Sequence, residues 1–364
     1  MKLLVQPDDG AQPLVRAIAH AKHNIDIVIF RFEQREIERA LANAVSRGVA
    51  VHALIANTNR SGEDGLRRLE LRLLAAGITV ARTDDHLARY HSKLMVVDRR
   101  ELFLLAFNFT SSDIERSRSF GIVTRMPLLV REALRLFDAD VMRHPYEPGS
   151  PALVVSPVNA RRLLAKFIEG ARKELLIYDP KISDLEMVRL LEKRAAAGVR
   201  IRIIGRLTRS IPGVMVLKPP MRIHTRTMVR DGKRAFVGSQ SLRAVELDAR
   251  RELGLIFREP KVVDAIRETF AEDWGAAQRT AEQPRDEKPV SKVAKKVAKL
   301  LAKELPQVTP VLNGAVQEIV GNTTPIELDP ELLEAALKDA VKSAVKEVVI
   351  DIVEEAVVDP ARMR

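Results

Sequence analysis

The chain of 364 residues has no cysteine. Disulfides, thiolate metal sites and a cysteine nucleophile are therefore excluded, and the composition fits a reducing compartment. Aromatic residues are scarce, at 4%, with Trp274 the only tryptophan. That leaves little material for base-stacking platforms and counts against a single-strand binding module. Trp274 follows Phe270 at helical spacing, as a core residue does. Gly-rich phosphate loops and dinucleotide signatures are missing. No run of about eighteen uncharged apolar residues occurs, and the N-terminus turns acidic at Asp8-Asp9 before a signal-like run develops; we expect neither a cleaved signal nor a transmembrane helix, and a cytoplasmic chain. His20, His23, His52, His86 and His144 show no metal-ligand spacing, and neither a metal nor a cofactor is called for.

Charge is plentiful and unevenly spread. The net charge is +11, yet residues 285–364 hold 12 Lys/Arg against 14 Asp/Glu, so residues 1–284 carry about +13. A basic body favours a polyanionic partner, either nucleic acid or an anionic membrane surface.

The chain matches itself. Leu4-Val5-Gln6-Pro7 corresponds to Val154-Val155-Ser156-Pro157, 150 residues on, and Arg47-Gly48-Val49 corresponds to Ala197-Gly198-Val199 at the same offset. Further along the offset falls to 133, which relates Gly121 to Gly254 and Phe137 to Phe270. The first copy therefore holds 17 extra residues between Val51 and His91, and the helix-like run Gly65–Leu74 accounts for them. A repeat this long is a duplicated domain, not a solenoid. Each unit reads as helix, strand, helix, strand and hairpin, with a strand over Ile25–Phe30, a helix over Arg35–Ser46 and a strand over Val49–Ile55. Alternating strands and helices predict an α/β fold whose sheet is buried on both faces. We expect two similar α/β lobes, each a mixed sheet flanked by helices, over 1–150 and 151–282. A linker and helical tail follow over 283–364.

The chemistry-bearing residues obey the same offset. His91 and Lys93, followed by Asp98, answer to His224 and Arg226, followed by Asp231. On a strand, positions i and i+2 share a face, so each histidine would look into a pocket beside its cation. Two such pairs in one pocket suit a phosphodiester. The cations neutralise its oxygens, one imidazole attacks, and the other protonates the leaving group.

These residues resemble the phospholipase D superfamily, whose mark is a duplicated HxKx4D followed by a GSxN element; the resemblance covers residues 1 to about 275. It implies a two-lobed α/β fold with the motifs meeting at the interface. It also implies metal-independent cleavage of a phosphodiester, or transfer of the phosphoryl-bearing group to an alcohol. By that match His91 is the nucleophile and His224 the general acid, later the base. Lys93 and Arg226 hold phosphate oxygens, Asn108, Ser239 and Ser241 add hydrogen bonds, and Glu252 orients a catalytic histidine. Asp98 and Asp231 are mostly structural in the family. The departures are Arg226 in place of lysine, Leu105-Ala106 in place of Gly-Ser, Ser241 at the position matching Asn108, and Ser119 at the position matching Glu252. The implied activity is a phosphodiesterase or phosphatidyltransferase acting on phospholipid; a nuclease of the same superfamily and an inactive phosphate- or nucleic-acid-binding scaffold are the alternatives.

In the tail, Lys292, Lys295, Lys296, Lys299 and Lys303 oppose Val293, Val297, Leu300 and Leu301, which makes 291–305 a basic amphipathic helix. A second helix is read over 330–357, capped by Asp329-Pro330. The first helix fits peripheral contact with a membrane surface; equally it fits a helical hairpin packing on itself or on a second subunit as a homodimer.

Overall fold

Short β-branched runs and amphipathic helices alternate through the computed structural model, which describes residues 1–57 and 62–282. The tail helices, and with them the membrane and dimer expectations, lie outside the described residues. Met1–Gln283 form one compact unit.

The first copy runs β1 (Lys2–Gln6), α1 (Gln12–His20), β2 (Asn24–Ile29), α2 (Arg35–Ser46), β3 (Ala50–Ile55), α3 (Gly62–Ala75) and β4 (Thr79–Arg82). It continues through β5 (Arg89–Tyr90), β6 (Leu94–Val97), β7 (Glu101–Leu105), α4 (Ser111–Glu115), β8 (Ser117–Thr124) and α5 (Pro127–Met142). The second copy runs β9 (Leu153–Val155), α6 (Ala160–Glu169), β10 (Glu174–Ile182), α7 (Leu185–Ala196), β11 (Arg200–Leu207) and β12 (Val214–Leu217). It ends with β13 (Arg222–Ile223), β14 (Arg226–Arg230), β15 (Arg234–Gly238), α8 (Ala244–Asp248), β16 (Arg250–Arg251), β17 (Leu253–Phe257) and α9 (Pro260–Glu282). The strand–helix alternation read from the sequence is present, with further strands that its simpler order omitted: β1 and β9 before the first helix, β4 and β12 at the far edge, and β8 and β17 after the hairpin. Helix α3 has no counterpart between β11 and β12, so it supplies extra length in the first copy.

The two sheets have the same strand order. The first is β1-β8-β7-β6-β2-β3-β4 and the second β9-β17-β15-β14-β10-β11-β12. Within each, the β2–β3–β4 or β10–β11–β12 side is parallel and the remaining pairs are antiparallel, so each sheet is mixed. Gly48 and Gly198 take φ of 86° and 83° between helix and strand, a left-handed turn that glycine adopts without a Cβ penalty.

Alternation along the strands divides the apolar side chains between two faces. Leu94 and Val96 of β6 join a core shared by both sheets with α5 and α9, while Met95 and Val97 join a second core under α1 and α2. The second sheet likewise packs its outer face on α6 and α7. The shared core centres on Tyr178, whose ring meets Phe120 and Phe270 edge-on at 5.6 and 5.0 Å. Trp274 stacks on Phe270 in this core. The two copies are thereby joined through buried apolar surface, which fixes the distance between their motifs.

Candidate active site

The motif histidines do not sit within strands, as the i, i+2 argument had it. His91, Ser92 and Lys93 lie in the connection between β5 and β6, and His224 and Thr225 lie between β13 and β14, with Arg226 the first residue of β14. The reason is that these backbones bond to the opposite copy. His91 N–H donates to the carbonyl of Arg251 at 2.7 Å, and His224 N–H donates to the carbonyl of Arg118 at 3.0 Å. Strands β5 and β16 pair parallel, as do β13 and β8. Arg118 and Arg251 are themselves related by the 133-residue offset. The contact is reciprocal, as in a two-fold interface, and it brings the two histidine segments together.

His91 is the better held of the two imidazoles. Its Nδ1 lies 2.9 and 3.0 Å from the two carboxylate oxygens of Glu252, which comes from the other copy. A carboxylate can only accept here, so Nδ1 carries the proton and Nε2 keeps its lone pair. Burial, then Lys93 and Arg226, push His91 well below its usual range and keep it neutral. Glu252 is fully buried; desolvation raises it, against Lys93 and Arg226.

Lys93 is fully buried as well. Desolvation pulls it down to about 7, with Glu252 opposing that fall. Its Nζ donates to the carbonyl of His91 at 2.6 Å. Arg226 repeats the contact on the other side, donating from Nη1 to the carbonyl of His224 at 2.8 Å and from Nε to Ser241 Oγ at 3.1 Å. The charges of Lys93 and Arg226 both act on His91 and on His224, so the two motifs share one electrostatic site.

His224 has an acidic neighbour that the motif comparison did not supply. Asp113 Oδ2 lies 3.5 Å from its Nε2, whereas Nδ1 is buried without a hydrogen-bond partner. Asp113 also accepts from Asn108 N and Nδ2 at 2.9 and 2.8 Å and from Arg222 Nη1 at 2.7 Å. Burial pushes His224 well down while Asp113 opposes it, and Asp113 itself is drawn below the carboxylate range by His224 and Arg222 against desolvation. The overlooked signal is the offset: Asp113 answers to Glu246, and both are acids. Glu246 is buried too, accepting from Ser241 N at 2.7 Å with Arg250 at 3.4 Å. Ser119 is fully buried, and its Oγ has no hydrogen-bond partner.

Of the remaining motif residues, Asn108 leaves a buried Oδ1 without a partner, in keeping with a group that receives a donor. Ser239 Oγ is tied to Leu253, donating to its carbonyl at 3.3 Å and accepting from its N–H at 3.2 Å. Asp98 accepts from the backbone N–H groups of Lys22, His23 and Asn24. Asp231 does the same with Arg172, Lys173 and Glu174. Both adopt positive φ at hairpin turns and pin those turns to the start of β2 and β10.

A crossed pair of ion contacts, buried at Arg251–Asp140 and part-buried at Arg118–Asp273, backs the site. Arg118 donates to Asp273 at 2.8 and 3.1 Å, and Arg251 Nε stands 3.1 Å from Asp140. Asp140 and Asp273 are again 133 apart. Each arginine thus offers its carbonyl to the opposite copy's histidine while its guanidinium grips an aspartate of that same opposite copy. Among the described residues no group of three or more His, Asp or Glu is placed to hold a metal ion. Among them, too, no helix is long and apolar enough to cross a membrane.

Two repeats of one mixed α/β sheet, each bringing a His/cation pair to a common site, define a duplicated α/β fold. The chain is similar to the phospholipase D superfamily: residues 14–141 match the family model described as "Cardiolipin synthase, PLD-like domain". Over 130 residues, 35% of this chain and 56% of the relative, it is 28% identical to mitochondrial cardiolipin hydrolase of Danio rerio. Cardiolipin synthase 1 of Bacillus cereus is 24% identical over 338 residues, covering 75% of this chain and 66% of the relative. The chain thus spans between half and two thirds of the length of these curated relatives. Phosphatidylserine synthase of Haemophilus influenzae Rd KW20 shares the fold with a TM-score of 0.61 at 11% identity, over 83% of this chain and 93% of that one.

Proposed function

We propose that this chain is a phospholipase D-like enzyme that cleaves a phospholipid phosphodiester, or transfers its phosphatidyl group to an alcohol, through a phosphohistidine on His91. The observation that carries this reading is the Glu252–His91 pair across the repeats. It fixes the tautomer that a nitrogen nucleophile needs. In the first step Nε2 of His91 forms a bond to phosphorus as the bond to the leaving oxygen breaks, and His224 gives that oxygen a proton. In the second, His224 takes a proton from water or an acceptor alcohol, whose oxygen displaces His91. Unliganded, His224 is neutral, because burial and the cations Arg226, Arg222 and Lys93 disfavour its charge. A phosphodiester anion between Lys93 and Arg226 offsets those cations and restores the proton. Acid catalysis is in this way coupled to substrate binding.

The relatives named for cardiolipin chemistry and the low aromatic content favour lipid over nucleic acid. Measured rates on phosphatidylglycerol vesicles and on single-stranded DNA test this reading. Turnover of the vesicles is expected. Cleavage of DNA alone would move the assignment to a nuclease, and inactivity on both would leave a binding scaffold.

Arg226 gives a second handle. Its Nε bond to Ser241 and Nη1 bond to the His224 carbonyl use the guanidinium fork in two directions. Lysine supplies one point charge instead. Arg226→Lys is expected to lower kcat/KM at least about tenfold, roughly 1.4 kcal/mol of transition-state stabilisation. A gain in rate would mean that arginine at this position marks decay.

A further inference from the structure

The β14–β15 hairpin of the second copy gathers like charges where the first copy has an ion pair. In the first copy Arg125 donates to Glu101 at 2.9 Å, across the ends of β7 and β8. The matching residues in the second copy are Arg258 and Arg234. The backbone places them as before: Arg234 and Arg258 flank the Ala235–Phe257 pair of β15 and β17, and Arg230 stands directly across from Arg234. The first copy has Val97 at the position of Arg230. Three arginines therefore stand on neighbouring strands, and Lys233 in the turn between them adds a fourth cation.

Their surroundings offset them only in part: four cations face the two carboxylates of Asp231 and Asp264. Among the described residues none of the four forms an ion pair, and Arg234 Nε is buried without a hydrogen-bond partner. Two carboxylates stand near, and both are engaged: Asp231 by three backbone N–H groups and Asp264 by Arg267 at 3.3 Å. Arg230 is anchored to the Phe167 carbonyl at 3.1 Å and lies over that ring. Burial, together with Arg258, holds both Arg230 and Arg234 below the ordinary arginine range, with Asp231 opposing the fall at Arg230 but not at Arg234. The groups line a cleft of about 470 Å³. Like charges directly across strands repel, so the cluster is poised to take up an anion. Arg226, the motif cation, opens the same strand that Arg230 closes, about 14 Å away at roughly 3.4 Å per residue. The cleft is therefore separate from the site between the repeats.

We infer that the cleft lined by Arg230, Lys233, Arg234 and Arg258 is a second anion site, built for a phosphate group. It does not rest on the phosphodiesterase reading. The decisive variant is Arg234→Glu, which installs the first copy's glutamate opposite Arg258. With inorganic phosphate as probe, calorimetry on the full chain is expected to show a saturable binding event that persists in Lys93→Ala, whose change lies between the repeats. In Arg234→Glu that event is lost. The same variant is expected to melt higher than wild type in phosphate-free buffer, and its turnover is unchanged. Cosedimentation with phosphatidylcholine vesicles, with and without phosphatidylglycerol, separates the sources of the phosphate. Arg234-dependent capture by the anionic vesicles assigns it to a lipid surface, and phosphate binding without capture assigns it to a free ion. Phosphate binding equal in wild type and Arg234→Glu, or no binding outside the site between the repeats, overturns the proposal.

Discussion

His91→Ala is expected to reduce turnover at least about a thousandfold on every substrate, because His91 is the imidazole that Glu252 holds with Nε2 free to attack. His224→Ala should behave differently. On a natural lipid, whose alkoxide leaves poorly, it should lose about 10²–10⁴ in rate, the usual contribution of a general acid. On a p-nitrophenyl phosphodiester the leaving group scarcely needs a proton, and the loss should be much smaller. The structure supplies the reason for the asymmetry. His91 is fixed by both oxygens of Glu252 at 2.9 and 3.0 Å, whereas His224 has Asp113 at 3.5 Å and an unpartnered Nδ1. The measurement is kcat/KM of the two variants on both esters. If His224→Ala lost as much on the activated ester as on the lipid, His224 would not be the acid. If the ranking were reversed between the two histidines, their roles would be exchanged.

The second large effect concerns the crossed ion contacts. Arg251 and Asp140 are both buried, 3.1 Å apart. Arg251→Met removes the cation and leaves a carboxylate in the shared core, a loss of about 3–5 kcal/mol for a buried pair broken on one side. The pH dependence has a definite sign. In the wild type burial already raises Asp140 to about 6, with Arg251 acting against that rise. A carboxyl raised in the folded state holds its proton more tightly there than in the unfolded chain. Stability is therefore lost as pH rises from the unfolded value, near 3.8, to the folded one. Without Arg251 the folded value climbs further and the window extends upward. Chemical denaturation should accordingly show a larger deficit at about pH 8 than at about pH 5. A deficit that is small and equal at both would mean that the pair contributes nothing to holding the copies together.

Much of the fold was legible because the chain says it twice. The 150- and 133-residue offsets exposed the duplication, and the helix-like run at Gly65–Leu74 became α3. Short continuous apolar runs on either side of the polar turns at Asp98 and Asp231 mark the hairpins. The placement of the motif residues was less legible. Strand periodicity does not place His91, whose backbone N–H goes to the carbonyl of Arg251, 160 residues away, and such a pairing leaves no local signal. Asp113 escaped notice for a related reason. It sits at the start of the five-residue helix α4, capped by Thr110, at no spacing that the motif specifies. Only its match to Glu246 at the common offset marks it. Arg118, Asp140, Arg251 and Asp273 carry the same kind of signal, a charged residue in each copy at equal offset, and could be found by that rule.

The central claim is the covalent bond between His91 and phosphorus. Phosphohistidine is a phosphoramidate and survives alkali better than acid, so the reaction should be quenched at alkaline pH. Mixing the enzyme with phosphatidylglycerol, quenching within the first turnover and mapping the peptides by mass should locate a phosphatidyl adduct on the peptide that contains His91. His224→Ala should accumulate it when the activated ester is used, since the second step then lacks its base. An adduct on the His224 peptide, or full turnover with no adduct on either histidine, would contradict the account.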